Sequence, residues 1–463
     1  MGRKIIVKEG EEKLKNNKYE IDMCNGTIMD KLISFSVPLM LSGILQLMFN
    51  AVDIVVVGRF SGSQALAAVG STTALINVFT NLFIGISLGA NVLAARYYAA
   101  GKKKEMSETV HTSITLALVS GIAMAILGII FAKFALEIMG TPDDVIAKST
   151  LYMRIYFCGM PFFMLYNYGA AILRAVGDTK RPLMFLIISG VTNAILNLFL
   201  VIVFKLDVAG VGIATVVSQF ISCILTLRCL QRTESSYQLH FSKLGMKAVY
   251  LRQIFTVGIP AGIQSTVINI SNAMLQSSVN SFGSIAMAGY TAANNIFGFL
   301  YISTNSFTQA CMSFTSQNYG VKKLKRMDKV LIDCMILAVT VTLILGSGTY
   351  IFGPELLHIY SSQDAVIKCG MEIFTYTTFT YFLCGIMDLF PGALRGMGYS
   401  TVPMILSIIG TVGVRIIWIY GLFPTHRSLT FLFISYPASW LATIVMQVIC
   451  YLIVRKKIHK EMA

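Results

Sequence analysis

The sequence predicts an all-α membrane protein, with twelve transmembrane helices in two pseudo-symmetric six-helix bundles. Three observations predict it. Of 463 residues, 55% are apolar and only 13% charged, about half the ~25% charged residues usual in soluble domains. Apolar runs of the ~20 residues needed to cross a bilayer recur along the chain. The chain also repeats itself at a shift of about 221 residues. A water-soluble fold needs charged surface to cover its core, so lipid must be the solvent around most of this chain.

The apolar runs place spans at 32–57, 66–95, 109–139, 150–172, 182–205, 209–230, 253–280, 285–317, 330–357, 370–394, 402–423 and 428–454. Residues 1–31 read as an N-terminal tail, 32–230 as an N-terminal six-helix lobe and 231–252 as a connecting loop. Residues 253–454 form a C-terminal six-helix lobe, and 455–463 a C-terminal tail. No short apolar core near the start resembles a cleavable signal.

The repeat is visible in matched motifs. Leu173-Arg174-Ala175-Val176-Gly177, followed by Pro182, matches Leu394-Arg395-Gly396-Met397-Gly398, followed by Pro403. Ala65-Leu66-Ala67 matches Ala286-Met287-Ala288, and Tyr98 before Lys102 matches Tyr319 before Lys323. Pro38 matches Pro260 at a shift one residue longer. Six spans per repeat is an even number, so both halves insert the same way up, as parallel repeats with substrate expected between them near the midplane.

The net charge of +15 does not point to nucleic acid. Lys and Arg concentrate in alternate short loops: Lys102 to Lys104, Arg174 to Arg181, Arg228 to Arg252, Lys322 to Lys329, and Arg395. With the C-terminal Arg455 to Lys460 they form the positive-inside pattern, which puts both termini in the cytoplasm. The opposite loops hold only Arg59, Lys148, Lys205, Lys368 and Arg427. The nine cysteines form no CxxC pair and the five histidines no HExxH, so they read as packing residues rather than disulfides or metal ligands. No GxxxxGK[ST] loop is present to hold ATP, and no nucleophile–base pairing stands out. The chain reads as no enzyme.

Ionisable groups inside spans are costly and mark function by default. In the first span Ser42, Gln46, Asn50 and Asp53 share one helical face, expected to point into the N-terminal bundle. A carboxylate there can take Na⁺ or a proton; the alternatives are hydration near the outer surface or pairing with Arg59. The matching stripe in span 7 is Ser265, Asn269, Asn272 and Gln276, with Leu275 in the place of Asp53. Asp388 lies at the repeat equivalent of Asn167. Arg415 is a second intramembrane charge, placed either to snorkel or to neutralise Asp388. Arg154 reads as hydrated. Span 8 carries Tyr290, Thr291, Asn294, Asn295, Tyr301, Asn305 and Gln309, which suit a wet cavity or helix–helix hydrogen bonds equally.

The segment Asn50-Ala51-Val52-Asp53-Ile54-Val55-Val56-Val57-Gly58-Arg59 resembles the first-helix signature of the MATE (multidrug and toxic compound extrusion) transporters. Ala65-Leu66-Ala67-Ala68-Val69-Gly70, the segment Leu173 to Lys180, Gly210-Val211-Gly212-Ile213-Ala214-Thr215 and Gln317-Asn318-Tyr319-Gly320 are similar to that family too. The likeness runs over residues 30–455. It implies two six-helix bundles and exchange of organic cations and other drugs for Na⁺ or H⁺, with no other cofactor. The site it implies is a cation-coupling set of Asp53, Asn193, Asn197 and Thr215. Tyr152 and Asn167 line the same lobe, and Pro38 is a hinge in the first helix. Gln46, Asn50, Asn272, Gln276, Tyr290, Asn294 and Asp388 complete the expected cavity lining. Asn197 stands where several members carry Asp, Asp388 misses the acidic position of another branch, and Ala99 replaces a usual glycine. The expected setting is the bacterial inner membrane, the expected partners are small organic cations and membrane lipid but no nucleic acid, and the expected state is a monomer. The competing readings are a flippase for lipid-linked oligosaccharides, which wants a more cationic cavity, and a membrane scaffold, which gains nothing from a titratable interior group.

Overall fold

The computed structural model describes residues 19–462; the first part of the predicted N-terminal tail, residues 1–18, lies outside them. The described residues are helical, without strands. Helices α1 (Met29–Phe60), α2 (Ser63–Ala99) and α3 (Lys103–Ile138) are followed by α4 (Asp143–Cys158) and α5 (Met160–Ala175). Then come α6 (Lys180–Leu198), α7 (Asp207–Arg232), α8 (Ala248–Asn280), α9 (Ser284–Gly320) and α10 (Leu324–Ile351). The short α11 (Gly353–His358) leads to α12 (Asp364–Thr377) and α13 (Phe382–Gly396). The chain ends with α14 (Thr401–Ser407), α15 (Val414–Ile417) and α16 (Leu429–Met462).

Nine of these runs are long and apolar enough to cross a membrane unaided, with Thr401–Leu422 counted as one, and the bent pair α12–α13 makes a tenth. The pair α4–α5 and the polar α9 complete twelve. Four expected spans differ in form; the fifth continues beyond α6 as a π turn at Phe199–Val203. The fourth is broken at Gly159, because Pro161 has no N–H and its ring clashes with a carbonyl of the preceding turn. The tenth bends by 54° between Thr377 and Phe382, at the repeat-related place but without a proline. There the Thr380 hydroxyl donates to the carbonyls of Tyr376 and Thr377, both at 3.1 Å, a back-bonding habit that bends helices. The eleventh contains π turns at Ile408–Gly413 and Trp418–Leu422, each holding an extra residue against the α-helical register.

The repeat is written into the backbone. Left-handed conformations occur at Gly62 and Gly283, at Gly101 and Lys322, and at Gly177 and Gly398, each pair spaced as the sequence repeat is. Five of the six are glycine, the residue without a Cβ penalty there.

The chain forms two compact units. The first holds residues 19–72 and Ala94–Met246. In it α6 and α7 pack on each other and α6 on α1, while α3 packs on α4 and α5. The segment before α1 is strapped to this unit. Glu20 accepts hydrogen bonds from the hydroxyls of Tyr98 and Tyr237, both at 2.6 Å, Met23 is fully buried, and Gly177 leaves room for the backbone of Ile21. Beside them Asp178 bonds and pairs with Arg181; burial nevertheless pushes the Asp178 carboxyl above its ordinary range. The linker beyond α7 is also held, by His240 N–H donating to His111 Nε2 at 3.0 Å and Gly245 N–H to Thr115 Oγ1 at 3.0 Å.

The second unit holds Thr73–Leu93 and everything from Lys247 onward. The middle of α2 thus packs with the second half of the sequence. Four glycines allow it: a Cβ on Gly85 would lie 2.3 Å from Gly262 Cα, and one on Gly89 2.2 Å from the Ile254 carbonyl oxygen. One on Gly258 would lie 2.5 Å from Ile86 Cα, and one on Gly262 2.5 Å from the Leu82 carbonyl oxygen. Ser313 and Ser316 of α9 add hydrogen bonds to Asn91 Oδ1 and the Val92 carbonyl at 3.0 and 2.6 Å. The core of this unit is aromatic, with Phe297 between Phe374 and Tyr381.

Candidate functional site

The first unit brings together Asp53, Asn193, Asn197 and Thr215. Asp53 lies on α1 and is 9% exposed; Asn193 and Asn197 lie one turn apart on α6 and are 4% and 0% exposed. Thr215, half-buried, comes from α7. The contact of α6 with both α1 and α7 places the four in one interior. Asn197 Nδ2 donates to Asp53 Oδ1 and to Asn193 Oδ1 at 3.1 Å. Asn193 Nδ2 donates to Thr215 Oγ1 at 3.4 Å, and that hydroxyl donates to the Val211 carbonyl at 3.0 Å.

One consequence of this chain of donors is electrostatic. With both Nδ2 hydrogens spent, Asn197 is left with Oδ1 buried and without a hydrogen-bond partner. A buried acceptor of this kind is costly, as is a carboxylate held by a neutral amide. Among the described residues Asp53 forms no ion pair, with Arg59 or any other base, so the alternative of an Asp53–Arg59 pair is corrected. Arg59 is exposed near the end of α1.

The remaining expected lining is less unified. Tyr152 is 6% exposed and lies against α7, where a Cβ on Gly212 would be 3.7 Å from its ring. Asn167 spends its amide on the Phe163 carbonyl of its own helix at 2.8 Å. The stripe on α1 does not turn wholly inward: Gln46 and Asn50 are exposed, Ser42 half-buried, and only Asp53 buried. At 3.6 residues per turn Gln46 and Asn50 lie about 40° and about 80° around the helix from Ser42, whereas Asp53 returns to within about 20° of it, so the middle of the stripe turns outward while Asp53 reaches the interior. Pro38 is buried within an unbroken α1. Asn294 is exposed, while Asn272 and Gln276 are half-buried, and Gln276 donates to Asn280 Oδ1 at 2.9 Å. Tyr290 is 3% exposed, its hydroxyl 2.7 Å from that of Tyr436.

Asp388 is half-buried and makes no hydrogen bond or ion pair among the described residues. Arg415 does not neutralise it and does not snorkel. It is 3% exposed, donates to Asn272 Oδ1 at 2.8 Å and to the hydroxyls of Ser271 and Ser439 at 3.4 Å, and lies 4.7 Å from the Tyr436 ring centre. Arg395, counted in the sequence as a loop charge, is buried at the end of α13 and donates to Gln264 Oε1 at 2.6 Å. Arg154 is exposed.

Sequence reasoning missed the unpartnered Asn197 oxygen and the partners of Arg415. The first depends on which way an amide donates. The second depends on the π turn before Arg415, for which the run Ile408 to Gly413 gives no signal.

The MatE family model matches this chain twice, over residues 38–199 and 260–420, beginning at the repeat-related Pro38 and Pro260. The chain is 29% identical over 91% of its length to the "Probable multidrug resistance protein YoeA" of Bacillus subtilis, covering 93% of that protein. It is 25% identical to the "Probable multidrug resistance protein NorM" of Thermotoga maritima, with 82% of this chain and 83% of that one covered. In fold it is similar to a MATE crystallised in complex with MaL6, with a TM-score of 0.88 at 19% identity, covering 96% of this chain and 99% of that one. A matched model over most of the chain, in duplicate, together with the twelve-helix fold, establishes that this multi-pass membrane protein belongs to the MatE family and is a MATE transporter.

Proposed function

We propose that this transporter is an antiporter that exports lipophilic, mostly cationic drugs and toxic compounds by alternating access, in exchange for H⁺ or Na⁺. The observation that carries it is the buried Asp53 with the unpartnered Asn197 oxygen beside it. Antiport needs one site whose occupancy favours one conformation over another. A proton or Na⁺ on Asp53 removes the cost of a lone charge in a closed lobe. Asn193, Asn197 and Thr215 offer the neutral oxygens a hard cation takes. The relatives bearing multidrug resistance names support the export reading. No further cofactor is needed. The protein works as a monomer in the cell membrane, the inner membrane of a bacterium, with both termini and residues 231–252 in the cytoplasm.

Purified protein in proteoliposomes, loaded with a fluorescent lipophilic cation, tests this reading under separate Na⁺ and pH gradients. Dye movement driven by one of the two gradients is expected. Dye that stays put while lipid-linked oligosaccharide crosses the bilayer would replace the reading with a flippase.

A further inference from the structure

The cation site has an image in the second unit, and its polarity is reversed. Thr215 and Ser218 correspond to Tyr436 and Ser439 at the repeat shift, and Asn50 and Asp53 to Asn272 and Leu275 at the shift set by Pro38 and Pro260. Between Pro403 and Arg415 runs the π turn Ile408–Gly413, whereas α6 is α-helical from Lys180 through Asn193. One extra residue there brings Arg415, not Val414, to the position of Asn193. The contacts agree: Arg415 touches Asn272, Ser439 and Tyr436, the counterparts of Asn50, Ser218 and Thr215. A carboxylate has been lost to Leu275 and a guanidinium gained.

That guanidinium has no counter-charge. Among the described residues no carboxylate lies within salt-bridge distance of Arg415, although the side chain is buried. Its three hydrogen bonds leave Nη2 without a protein acceptor. An isolated buried cation is strongly unfavourable, and the Tyr436 face offsets only part of that. Asn272 is half-buried and shares its face of α8 with the exposed Ser265 and Asn269. Such a polar stripe in a span calls for water rather than acyl chains.

We propose that Arg415 is the anchor of a second ligand subsite, which takes a compact oxyanion carried on an aromatic body, a carboxylate-bearing solute above all. The two N–H groups of the remaining Nη2 donate to the oxyanion, Asn272 adds an amide, and Tyr436, fixed by Tyr290, offers a face to the aromatic part. The subsite deepens the export reading by assigning recognition of a solute's oxyanion to Arg415 in the second unit. It rests on that reading for transport, but not for binding.

The test measures equilibrium binding to the full chain in nanodiscs, with dansylglycine as probe and its methyl ester as the uncharged control. The wild type is expected to bind the acid at least ~10-fold more tightly than the ester, the range for a charge-assisted pair. Arg415→Gln should bind acid and ester alike, Arg415→Lys should fall between, and retained ester binding shows that the variants are folded. Asp53→Asn should keep the full preference for the acid, so loss of coupled export leaves this result untouched. Equal binding of acid and ester by the wild type, or an undiminished preference in Arg415→Gln, overturns the proposal. Displacement of the probe by dioctanoyl phosphatidic acid but not by benzoate overturns the solute class and makes the site a reader of lipid phosphate.

Discussion

Replacing Gly85 by alanine puts a Cβ 2.3 Å from both Gly262 Cα and Gly262 N. Ordinary contact begins at 3.4 Å, so α2 and α8 must separate by about an ångström or one of them must bend. The atoms in the way are backbone, which cannot rotate aside as a side-chain end does. Overpacking of this kind costs ~1–3 kcal/mol, against the ~0.5–1 kcal/mol that alanine gains over glycine in a helix interior. The net is destabilisation. Gly348 is the control: it lies in α10, where an added Cβ would meet nothing within 4 Å, so Gly348→Ala should be neutral or stabilising. Thermal unfolding of detergent-purified protein, followed by the monomer peak in size exclusion, reads both. Gly85→Ala should melt below the wild type, and Gly258→Ala with it. The pair Gly85→Ala with Gly262→Ala should cost less than the sum of its parts, because both open the same gap. A Gly85→Ala protein as stable as Gly348→Ala would refute the backbone-contact argument.

Three further outcomes are expected. Glu20→Ala removes two charge-assisted hydrogen bonds, from Tyr98 and Tyr237, and should lower stability by ~1.5–3 kcal/mol per bond at most; equal melting of variant and wild type would count against the strap. Asp22 is raised by burial, its largest influence, yet is held below its ordinary value by the Asn25 side chain, the Cys24 and Asn25 N–H groups and Lys31. A lowered acid stabilises the fold above its ordinary value, and the gain is lost as pH falls through the folded value. Asp22→Asn should therefore destabilise at pH 7 and converge with the wild type as the pH drops below 3.8; a constant difference would contradict this. For topology, an impermeant thiol reagent outside cells should label Ser61→Cys and miss Lys103→Cys, and the reverse pattern would overturn the orientation.

Much of the architecture is legible in the sequence, because each span must bury its own backbone polar groups and so declares itself by apolar length. The breaks are legible unevenly. Apolar length alone predicts 150–172 as one unbroken span, although Pro161 is a visible breaker, whereas the bend after Thr377 rests on hydroxyls that bond back to the helix, a choice the sequence leaves open. The π turns leave no compositional trace, and they decide that Arg415 meets Asn272. Asp53 stands out as an intramembrane acid, and Asn193, Asn197 and Thr215 come from the family resemblance. The outward turn of Gln46 and Asn50 is not legible, since helical spacing gives a shared face but not its direction. The partition of α2 is not legible either. Its glycines mark close approach, but not the helix approached.

Coupling, as proposed above, resides in Asp53. Asp53→Asn keeps the size and shape of the side chain while removing its charge and titration. In proteoliposomes under the Na⁺ or pH gradient that drives the wild type, this variant should insert and fold normally yet show no gradient-driven dye accumulation. Accumulation at the wild-type rate by a variant present at the same density would place coupling elsewhere, with Asp388 the next residue to replace.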